Sequence, residues 1–254
     1  MPGDGRPAAV VTGSTSGIGL AIAQRLLAEG YQVTLNYADD DARAGAALSQ
    51  CLRDSTGSAQ LVKADVSAPA GAARLIYEAV RAHGRLDVLV NNAARVIDKP
   101  ALDVTADDWD IVTGVTVKGA LFCAQHAARQ MLAQDTGGAI INIGAATGIR
   151  ARRNGIATCA SKAALMIMTQ CLALELAPAI RVNTVIPGLV VTGETTRRFG
   201  LDDPAARRAR QDAVPMGRLG TPADVADAVM LLLSPAARFI TGQKLTADGG
   251  QNMW

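Results

Sequence analysis

The chain has 254 residues, 49% of them hydrophobic and 19% charged, with a net charge of +2. This composition excludes a disordered chain, and the charge gives no indication of nucleic-acid binding. We found no uninterrupted apolar run of bilayer length and no signal-peptide pattern, so we expect a cytoplasmic protein without membrane segments. The four cysteines lack metal-ligand spacing, so we expect reduced thiols and no metal site.

Short apolar runs alternate with amphipathic stretches along the chain. The runs predict strands at residues 8–13, 32–37, 59–64, 87–92, 139–144, 181–186 and 244–247. The amphipathic stretches predict helices at residues 17–29, 41–54, 68–83, 107–134, 157–177 and 222–233. The strands are apolar throughout, which is typical of a parallel sheet buried on both faces. The pattern therefore predicts an α/β fold, a doubly wound three-layer domain covering residues 1–254.

The segment 192–218 interrupts this alternation. It is polar and charged and contains two prolines. Because binding and catalytic residues concentrate on such connecting segments, we interpret it as a mobile insert over the ligand cleft.

A glycine-rich loop, TGSTSGIG at residues 12–19, lies between the first strand and the first helix. Gly13 allows a tight turn, Gly17 allows the backbone to approach a pyrophosphate, and Gly19 allows close packing of helix and strand. The helix N-terminus adds free N–H groups and the positive end of a dipole. In this strand–loop–helix context the glycines predict dinucleotide binding.

Further motifs extend this pattern to the whole chain. They are Asp65 and Val66 after the third strand, NNAA at 91–94, ASK ending at Lys162, PGLVVT at 187–192 and ITGQKLTADGG at 240–250. In their order and spacing they resemble the short-chain dehydrogenase/reductase family. The resemblance implies a single-domain Rossmann-type fold, with about seven strands in the order 3-2-1-4-5-6-7 and helices on both faces.

The resemblance also implies roles for individual residues. Asp65 and Val66 would contact the adenine, Asn91 and Ala93 would line the cleft, and Lys162 would hold the nicotinamide ribose. Residues 186–192 would flank the carboxamide. The full set expected to bind the cofactor is Gly13, Ser14, Thr15, Ser16, Gly17, Ile18, Gly19, Asn36, Tyr37, Asp65, Val66, Asn91, Ala93, Lys162, Pro187, Gly188, Val190 and Thr192.

The choice between NAD(H) and NADP(H) depends on the end of the second strand. An acidic residue there would accept a bond from the ribose 2′-hydroxyl and repel a 2′-phosphate. Asn36 and Tyr37 occupy that end, which argues against a strict NAD site. Residues 39–41 are all Asp, a pattern also typical of a helix start, and Arg43 is the nearest cation. The sequence therefore favours NADP(H) slightly over NAD(H).

The catalytic residues of the family are largely replaced in this chain. The family uses Tyr as proton donor, Lys four residues later, Ser to polarise the carbonyl and Asn to hold a relay water. By spacing, Thr158 stands at the Tyr position, Ala145 at the Ser position and Thr116 at the Asn position; only Lys162 remains. An aliphatic hydroxyl is far less acidic than a phenol, so the family's ordinary alcohol–ketone mechanism is not expected here.

Other side chains are candidates for the missing roles. Arg95, Arg150 and Arg152 could bind an anionic or carbonyl-bearing substrate. The run of arginines at 150, 152 and 153 could instead be a solvated loop. Lys162 is either a ribose clamp or, if burial lowers its pKa, a proton donor. Asp98, Asp103 and Glu194 are candidate acids or ordinary surface residues; the latter is the simpler interpretation.

Two functions follow from these residues. The first is an atypical NAD(P)H-dependent oxidoreductase that transfers hydride to a carbonyl, imine or conjugated small molecule. The second is a cofactor-binding protein of the same fold, with a non-redox activity such as cyclisation or isomerisation, or a non-catalytic partner. The resemblance further implies a homotetramer or homodimer, with residues 107–134 and 157–177 at the interface and the terminal QNMW packed on a neighbour.

Overall fold

Seven parallel strands form a single sheet in the order β3-β2-β1-β4-β5-β6-β7, which confirms the predicted topology. The structure is a computed structural model and describes residues 5–53, 57–134 and 136–253. The strands are Ala8–Val11 (β1), Gln32–Tyr37 (β2), Ala59–Lys63 (β3), Val88–Asn91 (β4), Gly138–Ile143 (β5), Ile180–Pro187 (β6) and Lys244–Ala247 (β7). The strand order reverses between β1 and β4, and ligands of such sheets bind beyond the carboxyl ends of the strands at this point.

Nine α-helices are found in the described residues. They are Gly17–Ala28 (α1), Asp41–Arg53 (α2), Pro69–His83 (α3), Ala106–Thr113 (α4), Ala120–Ala133 (α5), Ile156–Leu176 (α6), Gly193–Phe199 (α7), Pro204–Gln211 (α8) and Pro222–Leu233 (α9). Short 3₁₀ turns cover Ala101–Asp103, Ala146–Gly148 and Pro235–Ala237. Two parts of the sequence predictions, residue 54 at the end of the second helix and Trp254 in the tail, lie outside the described residues.

Alternate strand residues enter two separate cores, one on each face of the sheet. Val11 packs with α1, α2 and α9, whereas the adjacent Val10 packs with α3, α5 and α6. Because successive side chains of a strand point to opposite faces, a strand covered on both sides is apolar along most of its length and does not alternate with polar residues. The continuous apolar runs of the sequence reflect this arrangement.

The predicted helix at 107–134 is divided. A π-helical segment, Gly114–Gly119, separates α4 from α5 and contains Thr116. π-helical turns place an additional residue in the helix and occur frequently at functional sites. The periodicity of the sequence did not indicate this change of helix type.

The insert at 192–218 is folded into α7 and α8. Thr192 and Asp203 cap the two helices through their side-chain oxygens. Leu201, Val214 and Leu219 form a small buried cluster beneath them. The mobility of this segment stays a prediction.

Helix α6 is long and apolar enough to cross a membrane by length and composition alone, with a mean hydropathy of 1.4. Core helices of globular proteins have the same properties. Here 44% of the apolar window is buried inside the protein, and α6 packs on β6 and on the π-helical segment.

A chain of buried polar side chains joins the carboxyl halves of β4, β5 and β6 to α6. Asn91 donates from Nδ2 to Oδ1 of Asn142 over 2.9 Å, and Asn142 donates to Oγ1 of Thr169 over 2.8 Å. Thr169 and Thr184 are hydrogen-bonded through their hydroxyls at 2.8 Å. Since buried polar groups are costly when unpaired, these bonds fix the three strands and α6 relative to one another.

Candidate active site

The glycine loop has the backbone conformation that its glycines predict. Gly13 and Gly17 have φ of +59° and +54°, in the left-handed region that glycine adopts without strain. A Cβ on Gly13 would lie 3.0 Å from Cα of Ala93, and one on Gly17 would lie 3.3 Å from Cγ2 of Thr192. The loop therefore lies against the segments that follow β4 and β6, at the reversal of strand order.

Gly19 shows the closest approach in this loop. A Cβ there would lie 2.4 Å from Nδ2 of Asn92 and 2.5 Å from the carbonyl oxygen of Gly13. Asn92 donates from that amide to the carbonyls of Thr12 and Gly13, and the Thr12 hydroxyl accepts from the backbone N–H groups of Asn92 and Ala93. Thr12 and Asn92 thus position the loop. The sequence analysis assigned neither a role, although Thr12 is the first residue of TGSTSGIG and Asn92 lies within NNAA.

Two predicted cofactor residues have side chains committed to the protein. Oδ1 of Asn36 accepts from the Gly13 N–H at 3.2 Å, and its Nδ2 donates to the Ala64 carbonyl at 2.9 Å. The Ser14 hydroxyl donates to the Val11 carbonyl and accepts from the Asn36 N–H. Both side chains are buried. Asn36 and Ser14 therefore shape the loop, while Tyr37, at the end of β2, is partly exposed.

Two cations lie near the end of β2. Nε of Arg43 is 3.4 Å from the Thr15 hydroxyl, which places its guanidinium beside the glycine loop. Lys63 lies over the Tyr37 ring, 5.9 Å from its centre, and pairs with Asp41. Asp40 accepts a bond from the Arg43 N–H at the start of α2, which is the helix-start role considered for the Asp run.

The remaining predicted cofactor residues line the same edge of the sheet. Asp65 accepts a bond from the Ser67 N–H, and Val66 is buried against Gly119. Asn91 is buried, and its Oδ1 has no hydrogen-bond partner among the described residues. Thr192 begins α7 with a capping box. The rest of the set lies at the same two chain reversals: Ser16 directly before α1, Ile18 in its first turn, Pro187 at the end of β6, and Gly188 and Val190 after it.

Lys162 is 7% exposed on α6. Its Nζ donates to the carbonyl oxygen of Ile143, at the end of β5, over 2.6 Å. Burial lowers the pKa of this ammonium to about 8 from its ordinary 10.5. Among the described residues no carboxylate pairs with it. Since an ammonium has three N–H donors, Lys162 can make further bonds to a bound ligand.

The three positions that the sequence analysis aligned with the family's Tyr, Asn and Ser lie on α6 or in segments next to it. Thr158 lies one turn before Lys162 on α6, Thr116 lies in the π-helical segment that packs on α6, and Ala145 directly precedes the turn Ala146–Gly148, which also packs on α6. The hydroxyls of Thr116 and Thr158 are buried, and neither has a hydrogen-bond partner within the described part of the chain. Leaving such a hydroxyl unpaired costs free energy, which is unusual in a region that is only structural.

The candidate arginines do not form one group. Arg95 pairs with Asp39 at 3.3 Å on the cofactor side. Arg150 is exposed, whereas Arg152 is partly buried and bound to Asp98. Asp98 also binds Arg198 of α7, a residue that the sequence analysis did not select. In residues 5–53, 57–134 and 136–253 no group of three metal-ligating side chains is found.

The doubly wound sheet, the glycine loop and the buried lysine define the class of dinucleotide-binding oxidoreductase folds. A family model described as enoyl-(acyl carrier protein) reductase matches residues 13–252. A Streptomyces violaceoruber protein, whose name assigns it as ketoacyl reductase 2 of the granaticin polyketide synthase, is 40% identical over 97% of this chain and 96% of its own.

Two further relatives agree with this class. A Bacillus subtilis protein named as a 2,4-dienoyl-CoA reductase is 34% identical over 97% of this chain and 96% of its own. The structure of a Serratia marcescens short-chain dehydrogenase/reductase with two Phe-to-Leu substitutions has a TM-score of 0.89, with 34% identity and all of both chains covered. The chain belongs to the short-chain dehydrogenase/reductase family, whose members use NAD(P)(H), act on small molecules and are commonly oligomeric.

Proposed function

We propose that this protein is an NAD(P)H-dependent oxidoreductase that reduces a small molecule without the Tyr and Ser of its family. The contrast that carries the proposal lies within one site: the glycine loop and Lys162 are retained, while Thr158, Ala145 and Thr116 replace the other catalytic residues. A chain that had lost cofactor binding would not need two left-handed glycines or a buried lysine.

The residues present fit a nicotinamide dinucleotide. The left-handed glycines leave space that a Cβ would fill between the loop, Ala93 and Thr192. The N-terminus of α1 provides N–H groups for the phosphates. Lys162, held by the Ile143 carbonyl, would donate to the hydroxyls of the nicotinamide ribose. When bound, the cofactor supplies a hydride.

The chain's own residues limit what can accept that hydride. Thr158 is a poor acid, and its hydroxyl oxygen is buried and turned away from solvent. Ala145 cannot stabilise a developing alkoxide. The acceptor should therefore be a compound whose carbon is electrophilic without an acid from the protein, such as an iminium ion or a conjugated carbonyl. Lys162, whose pKa is about 8, is the group within the site best able to supply a proton.

The comparisons support a conjugated acceptor. The matching family model is described as an enoyl reductase, and one relative is named as a dienoyl-CoA reductase. In both cases the name refers to a carbon–carbon double bond next to a thioester. Reduction at such a carbon places the negative charge on a delocalised system rather than on a localised alkoxide.

The proposal is tested by mixing the protein with NADPH or NADH and a panel of ketones, imines and enones, and by following the absorbance of the reduced nicotinamide. Consumption with enones or imines and none with simple ketones is the expected result. If calorimetry shows cofactor binding but no panel member is reduced, the second function is supported, in which the cleft serves a non-redox role.

Restoring the family's residues should restore its chemistry. Thr158→Tyr combined with Ala145→Ser should increase ketone reduction by about 100- to 1,000-fold, the contribution typical of one such donor. Thr158→Phe with Ala145→Ser is the matched control, because it adds the ring without the hydroxyl. A folded Tyr/Ser variant that is no better than the Phe/Ser variant would show that these positions are wrongly assigned.

NADP(H) as the preferred cofactor is part of the same proposal. It is supported by Arg43 beside Thr15, by Lys63 over Tyr37 and by the absence of an acidic side chain at the end of β2. Asp39 and Asp40 lie 3.7 Å and 3.4 Å from the Arg43 guanidinium and offset part of its charge, so the preference should be small.

We also propose a cytoplasmic homotetramer or homodimer. Apolar side chains on α4 and α6 are exposed in the single chain: Trp109 by 42%, Ile167 by 60% and Leu174 by 84%. Exposed apolar side chains on neighbouring helices favour a protein interface. Light scattering after size exclusion gives the mass, and a monomer at micromolar concentration would contradict this assignment.

A further inference from the structure

Three segments that leave the carboxyl edge of the sheet meet at one carboxylate. Asp98 belongs to the segment after β4, Arg152 to the loop after β5, and Arg198 to α7, which follows β6. The backbone N–H of Lys99 also donates to the carbonyl of Asn154 over 3.0 Å, which joins the first two segments directly. This edge is where the substrate of such a sheet binds, so the cluster lies at the substrate end of the cleft.

The carboxylate of Asp98 is held by two guanidinium groups. Arg198 donates from Nε to Oδ2 over 2.7 Å and from Nη2 to Oδ1 over 3.1 Å, in the two-pronged geometry that arginine makes with carboxylates. Nη2 of Arg152 donates to Oδ1 of the same group. Burial raises the pKa of Asp98, but the bonds from Arg152 and Arg198 outweigh this effect and lower it overall.

The positive charge in this cluster exceeds what Asp98 can neutralise. The side chains of Arg152 and Arg198 are 26% and 22% exposed, so both are partly removed from water. The other acid near them is Glu194, which is 3.6 Å from Arg198 and 57% exposed, an arrangement that contributes little. Arg198 joins α7, and Arg152 joins the loop after β5, to the same carboxylate on the segment after β4. Two guanidinium groups thus share one partly buried carboxylate, which leaves a positive charge that a ligand anion could balance.

We propose that Arg152 and Arg198 form a binding site for an anionic group of the substrate, a carboxylate or a phosphoryl group. In this structure Asp98 occupies the site; a substrate would displace it and take over both guanidinium groups. The inference rests on the proposed reductase function and extends it by giving the substrate class: an electrophilic small molecule with a negative charge at the end far from the reacting carbon.

The experiment measures the binding of two simple anions, succinate and inorganic phosphate, to the full-length protein saturated with NADP⁺, by calorimetry. Saturation keeps phosphate from the glycine loop. The variants are Asp98→Asn, which removes the competing charge but keeps the shape, and Arg152→Gln and Arg198→Gln, which each remove one guanidinium. Arg197→Gln is the matched control, because Arg197 is an exposed neighbour of Arg198 on α7. Thermal unfolding shows whether each variant is folded.

Asp98→Asn should tighten the binding of at least one anion by about tenfold or more, and each of the two arginine variants should weaken it by a similar factor. Arg197→Gln should leave it unchanged. Tighter binding of succinate than of phosphate would assign a carboxylate, and the reverse a phosphoryl group. The inference is overturned if neither anion binds, if Asp98→Asn has no effect, or if Arg197→Gln weakens binding equally.

These results are separate from those of the reductase test. Anion binding that depends on Arg152 and Arg198, without turnover of any panel member, would contradict the proposed reduction and support the anion site. Turnover of panel members by a protein that binds neither succinate nor phosphate would support the reaction and overturn the anion site.

Discussion

Lys162 should make the stability of this protein depend on pH in an unusual direction. Burial lowers its pKa to about 8 in the folded protein from the ordinary 10.5 of the unfolded chain. Below pH 8 both states hold the proton, and the cost of burying the charge is fully present. Between pH 8 and 10.5 the unfolded chain binds the proton and the folded chain does not, so this contribution to stability rises with pH.

The size of the effect follows from the same two values. The difference between the two pKa values corresponds to about 3 kcal/mol, most of which is recovered between pH 7 and pH 10. We expect Lys162→Met to lack this rise. The free energy of unfolding of the wild type should therefore rise by about 2 to 3 kcal/mol relative to that of the variant between these pH values, whatever the Met costs by leaving the Ile143 carbonyl unpaired.

Urea unfolding at pH 7, 8.5 and 10, at one protein concentration, measures both curves. Lys244→Met is the control, since Lys244 is exposed on β7 and its replacement should give a curve parallel to the wild type. If the wild type and Lys162→Met curves are also parallel, Lys162 titrates as an ordinary surface lysine, and the account of it as a buried, desolvated group is wrong.

Three further predictions concern the scaffold and the cofactor. Gly19→Ala should weaken NADPH binding by about tenfold or more, measured by nicotinamide fluorescence, because its Cβ would overlap Asn92; Gly45→Ala, with open space around it in α2, should bind normally and gain up to about 1 kcal/mol in stability. Arg43→Ala should weaken NADPH by about tenfold and leave NADH unchanged in the same assay, and equal loss of both would contradict the 2′-phosphate assignment. Thr221→Ala should lower the free energy of unfolding by about 1 kcal/mol because it removes the cap of α9, whereas Thr221→Ser should not.

Much of the fold was predictable because local and global signals agree. The continuous apolar strands, the glycines at 13, 17 and 19 and the spacing from NNAA to Lys162 all indicated one topology, and the strand order is as expected. The helices of the insert were also signalled: Thr192 and Asp203 are good caps, and Pro204 suits a first helical turn. The polar and charged composition of residues 192–218 nevertheless favoured an interpretation as a mobile insert without helices.

Other features depend on contacts that no local pattern contains. Asn36 turns its side chain inward because the Gly13 N–H and the Ala64 carbonyl lie within reach, and only the folded loop brings them there. Asp98 and Arg198 are 100 positions apart in the chain. Their pairing required the tertiary structure, as did the burial of Lys162.

The hydrogen-bonded row from Asn91 to Thr184 has a consequence for how this protein can diversify. These bonds fix β4, β5, β6 and α6 relative to one another beneath the proposed reaction centre. This side of the cleft should therefore not adapt to ligands of different size. Differences in substrate range should then arise from α7 and α8, the helices of the segment 192–218 that we expect to lie over the cleft. Exchange of the segment 192–218 between relatives should therefore transfer substrate selectivity and leave the residues beneath the proposed nicotinamide site unchanged.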